Sequence, residues 1–161
     1  MRINLGAGSE PAEGWINTDW LQLEGIDKVF NLLDFPWPFE DGVADEMKAI
    51  DVLEHMPVIS PSNEATAIKF IEECHRILKV GGTLTIQVPH HQSPNLWIDP
   101  THIRGYDVRS FDYFDPDTDI GSAYGYYSEC KFDIATSLSR IVGDPEHNGE
   151  PSNVTFSMVK R

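Results

Sequence analysis

Ile3-Asn4-Leu5-Gly6-Ala7-Gly8 is a short apolar run stopped by a glycine turn, and Gly14-Trp15-Ile16-Asn17-Thr18 leads a second run that stops at Asp19. Working outward, Lys28-Val29-Phe30-Asn31-Leu32-Leu33 ends at Asp34, and Glu46-Met47-Lys48-Ala49-Ile50 ends at Asp51. Each run has strand length and a turn former behind it. In an open parallel sheet the carboxyl ends of the strands line the ligand crevice, so Asp19, Asp34 and Asp51 fall on one rim. A carboxylate there accepts hydrogen bonds from ribose hydroxyls or an amino group. One acid after a strand carries little weight, because aspartate is common in turns. Three in order, behind a glycine turn on the first strand, carry much more.

The turn itself narrows the ligand. Gly6-Ala7-Gly8-Ser9-Glu10-Pro11 has the first two glycines of the dinucleotide fingerprint but Pro11 in place of the third. The third glycine lets a helix pack close to the strand, so its absence argues against a nicotinamide dinucleotide. No lysine follows in the phosphate-loop arrangement. A turn whose backbone amides lie beside a non-phosphate ligand fits better.

Downstream, Pro61 and a capping Ser62 open a helix expected over 62–78, with Ile68, Ile71, Cys74 and Leu78 on one stripe. Lys79 suits the negative end of that helix, and Gly81-Gly82 is expected to end it. Thr83-Leu84-Thr85-Ile86-Gln87-Val88 alternates strictly and is closed by Pro89, the pattern of a strand. A short helix is expected near 108–114. Two late strands, over 132–142 and 154–159, are joined by a polar turn-rich segment and read as an antiparallel pair at a sheet edge. Residues 1–161 are expected to form one domain.

Charge and composition limit the partners. Twenty-six acidic against 12 basic residues give a net charge of −14, which repels phosphate backbones and makes nucleic acid an unfavourable partner. No run has the length of a membrane span, and the first residues lack the apolar core of a signal peptide, so a cytoplasmic location and no membrane partner are expected. Cys74 and Cys130 stand far apart without a CxxC context, and Cys74 belongs to the helix core.

Taken together, Asn4-Leu5-Gly6-Ala7-Gly8 and Gly14-Trp15-Ile16-Asn17-Thr18-Asp19 resemble the first two motifs of class I S-adenosylmethionine-dependent methyltransferases, in the compact branch reading LGxG…GWxNxD. Asp34-Phe35-Pro36-Trp37-Pro38-Phe39 is similar to that branch's third-strand motif, and Asp51-Val52-Leu53-Glu54-His55 to its LEH segment. His75-Arg76-Ile77-Leu78-Lys79-Val80-Gly81-Gly82-Thr83-Leu84 is similar to its RxLKPGGxL turn. The resemblance covers roughly residues 3–90 in the family's order. It implies a three-layer α/β/α Rossmann-like fold, with a mostly parallel seven-stranded sheet and an antiparallel C-terminal edge hairpin. It also implies S-adenosylmethionine as cofactor. Gly6, Ala7 and Gly8 would let the backbone approach its methionine part, Asp19 would take the ribose hydroxyls, and Trp20 would lie on the ribose or adenine. Asp34 and Phe35 would face the adenine edge, with Ile50 and Asp51 at the amino-acid end.

The departures are specific. The usual acid ahead of the glycine turn is replaced near Asn4, the first crossover is short, and the family's N-terminal covering helices have no counterpart. An open cofactor site, or one closed by a second copy or a partner subunit, is therefore expected.

The candidate chemistry lies in the loops. His55 at the crevice mouth reads equally as a base or as a residue bonded to a helix start. Asp99-Pro100-Thr101-His102-Ile103-Arg104-Gly105-Tyr106 follows the fifth strand, and its Asp99-Pro100-Thr101-His102 part is similar to the same branch's loop there. His102, oriented by Asp99, is a candidate base for a hydroxyl acceptor. His90, His91, Arg104 and Tyr106 are candidate acceptor contacts, the acceptor being a small molecule or saccharide-like group. Phe111, Tyr113, Phe114, Tyr124, Tyr126 and Tyr127 read either as a pocket wall or as packing over the sheet. No metal-specific spacing joins His55, His90, His91, His102 and Asp99, so no metal site is expected. The rival function is a non-catalytic cofactor-binding or scaffolding subunit; a nucleotide-dependent oxidoreductase is opposed by Pro11.

Overall fold

The computed structural model describes every residue except Ser62. β1 (Arg2–Leu5), β2 (Ile16–Asp19), β3 (Lys28–Val29), β4 (Ala44–Ile50), β5 (Leu78–Pro89), β6 (Phe132–Arg140) and β7 (Pro151–Lys160) form one seven-stranded sheet in the order β3-β2-β1-β4-β5-β7-β6. The first five strands pair in parallel, and β7 runs antiparallel to both β5 and β6. This is the Rossmann-like α/β fold, with its C-terminal hairpin at the sheet edge.

Alternation decides which face is buried. Register lines up Ile3, Met47 and Leu84 in one row across β1, β4 and β5, and Leu5, Ala49 and Ile86 in the next. Across the antiparallel pair, Leu84, Ile86 and Val88 face Met158, Phe156 and Val154. All of these are fully or almost fully buried in one core, at about 1.5–3 kcal/mol for each large apolar side chain. Helix α1 (Thr66–Ile77) covers this face with Phe70, Ile71, Cys74 and Ile77. The other face carries Lys48, Thr85, Gln87, Thr155 and Ser157, all half-exposed, and Trp15 lies beneath the cations of Arg2 and Lys48. The layering is therefore uneven, because the crossovers on either side of β2 are too short for helices. The second helix, α2 (Asp119–Tyr124), is brief. Among the described residues no helix is long and apolar enough to cross a membrane.

Several boundaries move from their expected places. Helix α1 begins at Thr66, and the expected cap Ser62 lies outside the described residues. Its stripe runs through Phe70, Ile71, Cys74 and Ile77, with Ile68 only half-buried. The chain passes directly from Ile77 into β5, so Leu78 is a strand residue and no glycine ends the helix. Lys160 donates to the carbonyls of His75 and Leu78 at 2.6 and 2.8 Å, the role expected of Lys79, which pairs with Asp45 instead. Gly81 and Gly82 lie in an irregularity of β5, between the pairs Ala44–Leu78 and Glu46–Thr83. In place of the expected helix near 108–114 there is a single 3₁₀ turn, Asp112–Phe114.

β3 ends at Val29 because the next apolar residues turn off the sheet edge into the core. Phe30 packs on Trp37 and Phe39 with ring centroids 6.0 and 5.9 Å apart. The loop is fixed to α1 through Glu73, which accepts from the Trp37 amide at 2.6 Å and from Arg76. Arg76 in turn donates to the Phe39 carbonyl at 2.8 Å.

Candidate functional site

The glycine turn is held open by its own backbone. Gly6 and Gly8 take φ of +63° and +53°, a region costly for residues with a Cβ. The Ala7 amide donates to the Thr18 carbonyl at 2.9 Å, which ties the turn to β2. Asp19, the last residue of β2, accepts from the Gly8 amide at 3.0 Å and from the Leu21 amide at 2.9 Å. A Cβ on Gly6 would lie 2.7 Å from Val52 Cγ2, whereas one on Gly8 would meet nothing within 4 Å.

Beside the turn is a cavity of about 470 Å³, lined by Gly6, Asp19, Trp20, Asn31, Asp51 and His55 among others. That is within the size range of small-molecule sites. Trp20 is 68% exposed, so one wall stands open. Asp51 occupies the left-handed region, φ +53°, and its amide donates to the Gln87 carbonyl at 3.0 Å. Desolvation by the surrounding walls raises its carboxyl pKa, against a hydrogen bond from Gln87. On the other side of the turn Ala7, Gly8, Lys48, Ile50 and Asp51 border a smaller recess. The structure thus brings Gly6, Ala7, Gly8, Asp19, Trp20, Ile50 and Asp51 around one turn.

Asp34 and Phe35 are not brought to this cavity. Because β3 stops at Val29, the rim is formed by Asn31, Leu32 and Leu33. Asp34 is exposed beyond it, and Phe35 stacks on Trp37 at 5.8 Å.

A second cavity of about 380 Å³ adjoins the first and shares Asp51 and His55 with it; Glu54, Asp99, His102 and Asn153 also line it. Here the ring nitrogens can be assigned from their partners. Thr101 Oγ1 donates to Asp99 Oδ1 at 2.6 Å, so at its 2.8 Å contact it accepts from His55 Nδ1. His102 Nδ1 lies 2.6 Å from the Leu96 carbonyl, which can only accept. Both imidazoles therefore donate through Nδ1, and in the neutral form each keeps its lone pair on Nε2. The rings meet edge to face, 4.6 Å apart. Asp99 is held below the usual carboxylate range by its hydrogen bonds from Thr101.

Beneath them Glu54 is wholly buried, and neither carboxylate oxygen has a hydrogen-bond partner. Burial pushes its pKa up to about 7. His102 Nε2 lies 4.0 Å from Glu54 Oε1 and 4.0 Å from Asp99 Oδ2. The 3₁₀ turn Leu53–His55 puts Glu54 there, and the Ile103 amide binds its carbonyl at 2.9 Å.

The four residues expected to meet the acceptor lie elsewhere. Arg104 donates to the Met56 carbonyl and Tyr106 to the Leu53 carbonyl, each at 3.2 Å, so they fasten the loop to the 53–56 turn. His90 is buried and accepts from the Gln92 amide at 3.1 Å, while His91 lies 3.6 Å from Asp107. Among the aromatics, Phe111 and Phe114 belong to the core, whereas Tyr124, Tyr126 and Tyr127 are exposed. Glu54, Thr101 and the Asn31–Leu33 rim were not assigned from sequence. The nearest signal for Glu54 was its place in the LEH segment.

No protein-family model and no curated protein sequence matches the chain. Solved structures do match its fold. A SAM-dependent methyltransferase from Archaeoglobus fulgidus aligns with a TM-score of 0.67 at 15% identity, over 99% of this chain and 85% of that one. The chain has a methyltransferase fold. A chain from the complex of the Haloferax volcanii Trm112 methyltransferase activator with its proposed methyltransferase aligns at 0.60 and 13% identity, over 98% of this chain and 81% of that one. A phosphoethanolamine N-methyltransferase from Haemonchus contortus, with phosphomonomethylethanolamine and S-adenosylhomocysteine bound, aligns at 0.63 and 14% identity, over 99% of this chain and 48% of that one.

Proposed function

We propose that this chain is an S-adenosylmethionine-dependent methyltransferase acting on a small-molecule or saccharide-like acceptor. The observation that carries the reading is the pair of adjoining cavities that share Asp51 and His55. A donor in the first and an acceptor in the second would meet at those two residues. The residues fit the donor: the turn leaves open space outside Gly8, and Asp19 keeps lone pairs beyond those used by Gly8 and Leu21. When bound, S-adenosylmethionine supplies an activated methyl group with its own leaving group, so the protein's task is alignment.

In this reading Asp19 takes the ribose hydroxyls and Trp20 lies against the ribose or adenine. The Asn31–Leu33 rim, rather than Asp34 and Phe35, borders the adenine edge. Gly6, Ala7, Gly8, Ile50 and Asp51 surround the amino-acid end. The acceptor's proton passes to an Nε2 lone pair, on His55 held by the Thr101–Asp99 relay or on His102 held by Leu96. Such bases favour an acceptor that must lose a proton, a hydroxyl above all.

The test is transfer of label from methyl-labelled S-adenosylmethionine to fractionated small-molecule extract, comparing wild type with His55→Gln and Asp19→Ala. Labelled product from wild type, sharply reduced in both variants, supports the reading. S-adenosylhomocysteine binding without transfer favours the non-catalytic subunit, for which the open wall at Trp20 gives room for a covering partner. No binding and no transfer would overturn both.

A further inference from the structure

The floor of the second cavity has the donor set of a metal centre. One ligand atom each from Glu54, His55 and His102 lies within 4.8 Å of the others. We propose that these three residues bind a divalent first-row transition metal, with an open position facing the second cavity. The inference concerns binding and stands apart from whether the first cavity takes S-adenosylmethionine.

Three observations meet at this point. The first is the carboxylate: Glu54 is completely buried, yet neither oxygen is hydrogen-bonded. A buried carboxylate without partners is costly, and a cation is the partner that meets the cost for both oxygens at once. The second is the histidines, whose Nδ1 protons are committed to the Leu96 carbonyl and to Thr101, itself bonded to Asp99. Metal-binding imidazoles are characteristically fixed in this way, one nitrogen donating to a carbonyl or an acid-linked group while the other ligates. The third is access, since Glu54, His55 and His102 all line the cavity. Two imidazoles and one carboxylate with a position left open form the ligand set of catalytic rather than structural metal sites. Bonds of about 2.0–2.2 Å to zinc put neighbouring ligand atoms roughly 3.3 Å apart. His102 Nε2 and Glu54 Oε1, now 4.0 Å apart, need only a small rotamer adjustment.

His90, His91 and Asp107 also cluster, but they fail the same criteria. His90 Nδ1 accepts from the Gln92 amide, which leaves the proton on Nε2, the nitrogen turned toward Asp107. Asp107 is already engaged by the Arg109 amide and is half-exposed. This second group serves as the internal control.

With the cation bound, His55 and His102 are ligands instead of proton acceptors. The cation would lower the pKa of a coordinated acceptor oxygen, whose proton would then leave to solvent at the cavity mouth. The experiment is titration of chelator-treated protein with Zn²⁺ by calorimetry, with Co²⁺ absorption as a spectroscopic readout of nitrogen and oxygen ligation. Wild type is expected to bind one equivalent, with a rise in melting temperature. Glu54→Gln and His102→Gln are expected to weaken binding at least tenfold and to change the Co²⁺ spectrum. His91→Gln leaves both unchanged. Circular dichroism confirms that each variant is folded, and His55→Gln, at an exposed position, provides a third ligand test should a buried variant unfold. Absence of stoichiometric binding by wild type overturns the proposal. So does binding that folded Glu54→Gln, His102→Gln and His55→Gln retain in full.

Discussion

Asp19 binds the Gly8 amide at 3.0 Å, so the last residue of β2 fixes the turn that follows β1. Its other oxygen holds the Leu21 amide at 2.9 Å. One carboxylate therefore sets both the shape of the turn and the side of the cavity where Trp20 stands. Charge-assisted hydrogen bonds contribute roughly 1.5–3 kcal/mol each, so Asp19→Ala is expected to weaken S-adenosylhomocysteine binding at least tenfold. Asp19→Asn keeps one acceptor oxygen and should fall between the two. Calorimetric titration of the three proteins checks the order; equal affinities would remove Asp19 from the site.

Gly6 and Gly8 separate two reasons for a glycine. Both have positive φ, but only at Gly6 does an added Cβ collide, at 2.7 Å from Val52 Cγ2. Gly8→Ala is expected to cost about 1–2 kcal/mol from backbone strain alone. Gly6→Ala adds an overpacking penalty and should reach roughly 2–4 kcal/mol. Val52→Ala in the same chain should recover the steric part and leave the strain. Urea unfolding of the two alanine variants and of the double variant measures the difference directly.

Glu73 joins helix α1 to the loop that leads into β4. It is buried, accepts from the Trp37 amide and pairs with Arg76, which also holds the Phe39 carbonyl. Glu73→Ala strands a buried amide and frees a partly buried guanidinium, with an expected loss of about 3 kcal/mol. Glu73→Gln keeps an acceptor for the amide and should lose clearly less. Denaturant melts distinguish the two, and similar losses would show that packing, not pairing, fixes the loop.

The parts legible in the sequence are those governed by local rules. Alternation in Thr83–Val88, the glycines after Leu5 and the acids at Asp19 and Asp51 placed the sheet and its rim, because strand period and turn chemistry act over a few residues. The same logic puts Asp34 on the rim, whereas the structure leaves it exposed beyond the cavity lining. Lys28–Leu33 stays mostly apolar past Val29, and nothing local shows that the side chains after Val29 leave the edge strand for Trp37. The second cavity was half legible: Asp99 and His102 arrive there, while Arg104 and Tyr106 are spent on carbonyls of the 53–56 turn. Glu54 and His102 come from different loops, so their encounter depends on tertiary structure that no spacing rule encodes.

His75 provides a prediction of acid sensitivity. Its ring packs edge-on against Phe132 at 5.2 Å, and burial, aided by the Lys160 charge, pushes its pKa down to about 4 from the usual 6.5. The folded state thus keeps His75 neutral while the unfolded chain takes up a proton, and stability is lost as pH falls from about 6.5 through 4. At 1.36 kcal/mol per pKa unit the loss from this residue is at most about 3–4 kcal/mol. His75→Gln cannot titrate, so its stability should fall less between pH 7 and pH 4 than that of wild type. Urea unfolding at both pH values gives the four free energies required. If the two proteins lose stability in parallel, the proton is taken up without unfolding and His75 is more accessible than its packing against Phe132 implies.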